Sequence, residues 1–198
     1  MTSVSQENQN LSQFVGKVFG DDWTIAEHRS DPHSGDRQPL GIFILTGRDK
    51  TKPGLLAHAT IGLSDYKLGE DKSGIALGTE LVGACHEECD YFDRALAGTA
   101  NFIMSQKLLC KPGTIFANVL DGFDASSQMK HFLFAVPSLW ADSLYPLSFK
   151  AKTVLWLQAI PVSDSEMQFA QKHGSSELGE KLVNEKADLL DLARQPVI

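Results

Sequence analysis

The residues from Thr153 to Phe169, TVLWLQAIPVSDSEMQF, constrain the fold more than any other stretch. Thr153-Val154-Leu155-Trp156-Leu157 is an unalternating run of β-branched, aromatic and aliphatic residues, the pattern of a strand covered on both faces. Pro161 has no N–H to give a sheet ladder and is expected to end that strand. Ser163 precedes Glu166 by three residues. That is the spacing of a capping box, in which each side chain satisfies a backbone N–H of a new helix. Val162 and Met167 stand where a hydrophobic staple would sit. The stretch therefore predicts an interior strand over Thr153–Ile160 with Trp156 largely buried, turning sharply into a capped helix. It offers no catalytic residue, because capping boxes serve helix ends.

The remaining chain supplies partners for such a strand. Residues 1–10 are polar and expected to fray. Leu11, Phe14, Val15, Val18 and Phe19 fall at helical spacing, with Gly20 as the C-cap. Strands are predicted at Trp23–His28, Leu40–Leu45 and Leu55–Leu63, separated by a loop at Ser30–Pro39 and a charged connection at Gly47–Gly54. A polar loop at Asp65–Gly74 leads to a period-two strand at Ile75–Ala84. Glu87–Leu109 predicts the longest amphipathic helix, with Cys89, Phe92, Leu96, Ala100 and Ile103 on its apolar stripe. Glu87, Glu88, Asp90 and Asp93 crowd its first turns, where the macrodipole favours negative charge, and Pro112-Gly113 stops it. Strands follow at Thr114–Leu120, His131–Val136 and Leu147–Ile160, then helices at Asp164–Lys172 and Ser176–Glu185. Strands with helices between and after them predict one α+β domain over residues 1–198, built on a mixed, largely antiparallel sheet packed with helices.

Composition narrows the function. A net charge of −7 argues against direct nucleic-acid binding or attachment to an anionic membrane, both of which need positive charge, and suits a basic protein partner. No apolar run approaches the roughly 20 residues that span a bilayer, and the N-terminus lacks the charged and apolar regions of a secretion signal. Three cysteines, Cys85, Cys89 and Cys110, suit a reducing cytoplasm better than a disulfide framework.

The sharpest chemical cluster is Cys85-His86-Glu87-Glu88-Cys89. With Cys110 or His131 it could build a zinc site, and a metal-dependent enzyme centred on Cys85, His86 and Cys89 is one alternative. The C-x3-C has no second pair, however, and Cys89 falls on an apolar helical stripe, where free cysteine behaves as a small hydrophobe. Neighbouring Cys85 and His86 would point apart, and His131 is expected to be a hydrogen-bonded structural histidine. Phosphate loops, a nucleophile elbow and a zincin motif are absent. The expectation is a protein without catalytic residues, metal or cofactor.

The order of several segments resembles the suppressor of fused domain. These are Lys111-Pro112-Gly113-Thr114-Ile115-Phe116, Met129-Lys130-His131-Phe132-Leu133-Phe134 with Pro137 and Leu139-Trp140, and Val154-Leu155-Trp156-Leu157 with Ile160-Pro161-Val162-Ser163-Asp164 and Glu166. Phe169, Gly174-Ser175 and Leu178, then Asp188-Leu189-Leu190-Asp191-Leu192-Ala193-Arg194, look like the domain's C-terminal portion. The likeness is strongest from about Leu77 onward. The resemblance implies an α+β domain that binds protein and catalyses nothing. Two-domain animal members sequester Gli transcription factors, whereas short microbial members are proposed as immunity proteins that neutralise toxins, often nucleases. The chain's length points to the microbial type. The expectation is an antitoxin-like module that sequesters a protein partner, with a regulatory scaffold for a transcription-factor-like protein as the second alternative.

A binding surface is expected on the proline-bracketed loop that holds Trp140, Asp142 and Tyr145, joined by Asp121 and Asp124 from the polar loop before the neighbouring strand. The aromatics would anchor the partner and the carboxylates would steer it.

Overall fold

The computed structural model describes residues 5–20, 22–29, 41–48, 53–66, 69–70, 74–124 and 127–198. The expected loop at Ser30–Pro39 lies outside them, as do parts of the Gly47–Gly54 and Asp65–Gly74 connections. The elements run α1 (Gln6–Phe19), β1 (Trp23–Arg29), β2 (Gly41–Arg48), β3 (Leu55–Ile61), β4 (Gly69–Glu70), β5 (Ala76–His86), α2 (Phe92–Gln106), β6 (Ile115–Phe116), β7 (Met129–Ala135), β8 (Leu147–Ser148), β9 (Lys152–Ser163), α3 (Asp164–His173) and α4 (Ser175–Asn184).

Among the described residues, nine strands form one sheet of order β1-β2-β3-β5-β9-β7-β6, with β4 on β5 and β8 on β9. Every pairing is antiparallel except β5 with β9. The fold is thus the expected α+β arrangement, mixed and largely antiparallel, and β9 is interior, between β5 and β7. Its unalternating sequence follows from helices on both sheet faces. Val154 and Trp156 pack with Leu11, Val15 and Phe19 of α1. Leu157 and Ala159 pack with Phe92, Leu96 and Ile103 of α2. Ile160 and Val162 return to the first face and meet Ala170, Leu178 and Leu182 of α3 and α4. Trp156 is buried, and its indole N–H donates to the Tyr145 carbonyl at 3.0 Å. The same two-sided cover explains β5, where Leu81 faces α2 and Val82 faces α1.

Several boundaries differ from the sequence reading, each for a local reason. Helix α1 begins inside the stretch expected to fray, because the Ser5 hydroxyl caps it by accepting the Asn8 N–H at 3.1 Å. The Asn8 amide also ties it to Asp65 at 2.8 Å. Pro161 does not end β9. Its carbonyl accepts from Arg194 at 3.1 Å, so its ring nitrogen faces that same side, away from the β7 ladder. The β5 ladder has already stopped at Gln158 there, so no ladder bond is lost. The long helix starts at Phe92 rather than Glu87, because β5 stays paired with β3 as far as His86 and a turn closed by Cys89 N–H to the His86 carbonyl follows at 3.0 Å. The strand expected at Thr114–Leu120 shrinks to β6. Asn118 adopts φ 60°, and its N–H goes to the His131 ring rather than to a strand. Leu147–Ile160 divides into a hairpin of β8 and β9, closed by Phe149 N–H to the Lys152 carbonyl at 2.8 Å.

Two fully buried carboxylates stand at the starts of helical segments. Glu166 completes the expected capping box with Ser163. It also holds Arg194 of the C-terminal tail in a bidentate pair of 2.7 and 2.9 Å and accepts the Val197 N–H at 3.0 Å. Burial pushes its carboxyl upward. Arg194 and the Ser163 and Val197 N–H groups outweigh that and hold it below the ordinary carboxylate range. Glu80, in β5, accepts the N–H groups of Gly62, Leu63 and Ser64 at the head of a short 3-10 turn, together with the Thr60 hydroxyl at 2.6 Å. No cation is among these donors, and burial pushes its carboxyl above the ordinary range although the hydrogen bonds oppose it.

Candidate functional site

The residues expected to form a binding surface do not come together. Trp140 is only 9% exposed and lies in the core under α1, 4.8 Å from the Phe19 ring. It therefore closes the sheet end and offers no accessible anchor. Tyr145 is 57% exposed, edge-on to Phe14 at 4.9 Å, and Asp142 is exposed nearby. Asp121 and Asp124 are exposed, but their loop precedes β7 whereas the Trp140 loop follows it. The two loops are therefore about 20 Å apart along the strand. They also serve opposite sheet faces, since Leu120 belongs to the α2 core and Trp140 to the α1 core.

Within the Cys85–Cys89 cluster, His86 parts from the cysteines. Cys85, the last residue but one of β5, points into the α2 core. His86, one residue on, has the opposite direction and approaches Asp188 at 3.4 Å. Cys85 instead lies 3.8 Å from Nε2 of His58, a residue 27 positions away, and burial lowers that imidazole to about 4. Cys89 precedes α2 and is not part of its stripe. Among the described residues, no three His, Cys, Asp or Glu side chains gather as a metal-binding group. His131 is a buried structural histidine. Its Nδ1 accepts from Asn118 at 2.9 Å and its Nε2 donates to Asp164 at 3.2 Å, which fixes the tautomer.

A concave apolar surface lies elsewhere, where α2 runs beside the short edge strand β6. The groove has a volume of about 660 Å³, within the range of sites that accept ligands or partner side chains. Ala95, Gly98 and Thr99 form its floor on α2, and Ile115, Phe116 and Val119 form the opposite wall. Gly98 adds no side chain to the floor, and the space above it is open: a Cβ added there would meet nothing within 4 Å. Three large apolar side chains crown it: Phe102 at 52%, Leu109 at 63% and Phe123 at 40% exposure. The two phenylalanines are held in place. Phe102 is edge-on to Phe116 at 6.1 Å, Phe123 stacks on Tyr91 at 5.4 Å, and the Arg94 guanidinium lies 5.6 Å from the Phe123 centroid. In the sequence, exposed Asp121 and Asp124 flank Phe123, and exposed Lys107 and Lys111 flank Leu108-Leu109, while Arg94 is the one charged residue in the groove lining. Rigid, solvent-facing aromatics around a concavity are what protein hot spots use.

Phe102 was visible in the sequence as a phenylalanine off the 92/96/100/103 stripe. Its meaning was not, because the other wall comes from residues that pass α2 only in the fold.

The sequence profile of the family described as Suppressor of fused protein (SUFU) matches residues 36–195. The chain belongs to the suppressor of fused family. It is 33% identical over 195 residues to Immunity protein YqcF of Bacillus subtilis (strain 168), covering 98% of this chain and 99% of that protein. Its suppressor of fused fold superposes on a SUFU homologue from Neisseria gonorrhoeae FA 1090 with a TM-score of 0.73 at 17% identity, covering 96% of each chain. It also superposes on a chain of the Sufu–Fu complex with a TM-score of 0.65 at 15% identity, covering 96% of this chain and 91% of that one. Among the described residues, no helix is long and apolar enough to cross a membrane.

Proposed function

We propose that this protein is a non-catalytic immunity protein that binds and neutralises a toxin. The observation that carries the reading is the end-to-end match to an immunity protein, 98% of this chain against 99% of that one at 33% identity. The α2–β6 groove is the docking surface in this reading. Phe102, Leu109 and Phe123 would supply the buried anchors, and the net charge of −7, with Asp121 and Asp124 flanking Phe123, would steer a basic toxin such as a nuclease onto it.

The test is co-expression with a toxin encoded beside the gene, followed by calorimetric titration of the purified pair at two salt concentrations. The chain should restore growth and bind the toxin, more weakly as salt rises. A folded Phe102→Asp, Leu109→Asp double variant should lose at least tenfold in affinity, or about 1.4 kcal/mol. Full protection by that variant would move the docking surface elsewhere. Failure of the wild-type chain to bind or protect would overturn the immunity reading itself.

A further inference from the structure

The turn between β5 and α2 brings together groups that the docking groove does not use. Cys89 N–H bonds the His86 carbonyl at 3.0 Å, which folds the chain back so that Cys89 stands beside Cys85. The Cys85 thiol donates to the Cys89 carbonyl oxygen at 3.8 Å, which sets the Cys85 side chain against Cys89. Around the Cys89 sulfur lie the backbone N–H groups of Tyr91 and Phe92 and the Tyr91 hydroxyl. Helix α2 has no side-chain cap from Tyr91. Cys89 stands two residues ahead of that uncapped end, near the helix's positive dipole end.

The two thiols are consequently unequal. The neighbouring Cys85 side chain, followed by the two backbone N–H groups and the Tyr91 hydroxyl, holds the Cys89 thiol below the ordinary cysteine range despite partial burial. Cys85 is pushed up by donating to Cys89, by burial and by the nearby Asp93 and Glu88 carboxylates, with the neutral His58 ring on its other side. Cys110 is a built-in contrast: it is buried, and burial pushes it up to about 11. Cys89 is only half-buried, so a small oxidant can reach it.

We propose that Cys85 and Cys89 are a peroxide-reactive pair that closes to an intrachain disulfide, with Cys89 as the attacking thiolate and Cys85 as the resolving thiol. The Cys89 sulfur attacks one oxygen of hydrogen peroxide. An S–O bond forms, the O–O bond breaks, and the departing hydroxide takes a proton from solvent to become water. The Cys85 sulfur then attacks the Cys89 sulfenic acid. The S–S bond forms, the S–O bond breaks, and the second hydroxide leaves as water with the Cys85 proton. Two thiols lose two electrons, and peroxide gains them.

The experiment treats the reduced, full-length protein with stoichiometric hydrogen peroxide, labels the remaining thiols with N-ethylmaleimide and digests with a glutamate-specific protease. Cleavage after Glu87 or Glu88 separates the two cysteines, so a disulfide is read directly as two joined peptides. The expected result is a Cys85–Cys89 link with Cys110 labelled. In untreated native protein, Cys89 should react with iodoacetamide at neutral pH at least tenfold faster than Cys110. Cys85→Ser should leave Cys89 trapped as a sulfenic acid that dimedone captures, and Cys89→Ser should leave Cys85 unoxidised. The proposal is overturned if both thiols remain labelled after peroxide, if Cys110 oxidises as fast as Cys89, or if Cys85 oxidises equally well without Cys89. Should either variant fail to fold, the wild-type link and the alkylation ratio decide the question.

Discussion

Glu80 and Glu166 are both fully buried, both at the head of a helical segment, and both taken up by backbone N–H groups. They differ in one partner. Glu166 has the Arg194 guanidinium in bidentate contact, and Glu80 has only dipoles and the Thr60 hydroxyl. The comparison shows how the same environment can favour opposite protonation states. With a cation, the donors outweigh desolvation and the carboxylate is held charged. Without one, desolvation wins and the carboxyl is pushed toward its neutral form. It also separates two architectural jobs. Glu166 fastens the C-terminal tail to α3, and Glu80 fastens the turn after β3 to the middle of the sheet.

The largest effect should come from taking the cation away. Arg194→Leu leaves Glu166 as a buried, unpaired charge and should lower unfolding stability by about 3–5 kcal/mol in denaturant titration. A loss under about 1 kcal/mol would mean that the backbone donors suffice, and the two glutamates would then be equivalent. A smaller loss, about 2–3 kcal/mol, is expected of Thr60→Val. Glu80 loses its 2.6 Å donor, and the Leu81 N–H loses the Thr60 oxygen that it reaches at 2.8 Å. No change in that variant would show that the turn's N–H groups carry Glu80 alone.

The smallest and most diagnostic signal is in pH dependence. The folded value of Glu166 lies below its ordinary 4.5, so its stabilisation is present above that pH and is lost as pH falls through the folded value. The folded value of Glu80 lies above its ordinary 4.5, so ionising it penalises the folded state as pH rises from 4.5 through the folded value. Glu80→Gln should therefore compare progressively better with wild type as pH rises through that window, and Glu166→Gln progressively worse as pH rises toward 4.5. Stability curves measured from pH 3 to 7 with the same slope for both variants would contradict the assignment.

One half of this contrast was legible in the sequence. Ser163 and Glu166 announced the capping box by spacing alone, and the apolar run before them announced the interior strand. Arg194 was not legible as the partner, because 28 residues separate it from Glu166 and only the tail's path across α3 joins them. Glu80 did carry a signal, a lone carboxylate within the apolar run Ile75–Ala84, but identifying its donors requires the pairing of β3 with β5. Local rules misjudged the start of α2 for a related reason. The acidic residues 87–90 suit a helix N-terminus, yet the β3 ladder holds the chain extended through His86. The expected binding surface assumed that a tryptophan in a loop is accessible, and Trp140 is buried. Trp140 fills the space over Phe19 and leaves Tyr145 as the exposed aromatic of that loop, whereas Phe102 and Phe123 lie on the α2 face.

The parallel pairing of β5 with β9 has a consequence for how the protein is made. Ala76 pairs with Lys152, and the register holds through Val82 with Gln158, so every partner lies 76 positions away along the chain. The pairings β1-β2, β2-β3 and β3-β5 are near neighbours in sequence and can close early. The β5–β9 pairing must await most of translation, and closing so long a loop is slow. Until Thr153–Ile160 has left the ribosome, the free edge of β5 and the apolar faces beside it have no cover. The nascent chain therefore passes through an interval, set by the rate of synthesis, in which a chaperone or a second nascent copy can compete for the place that β9 will take.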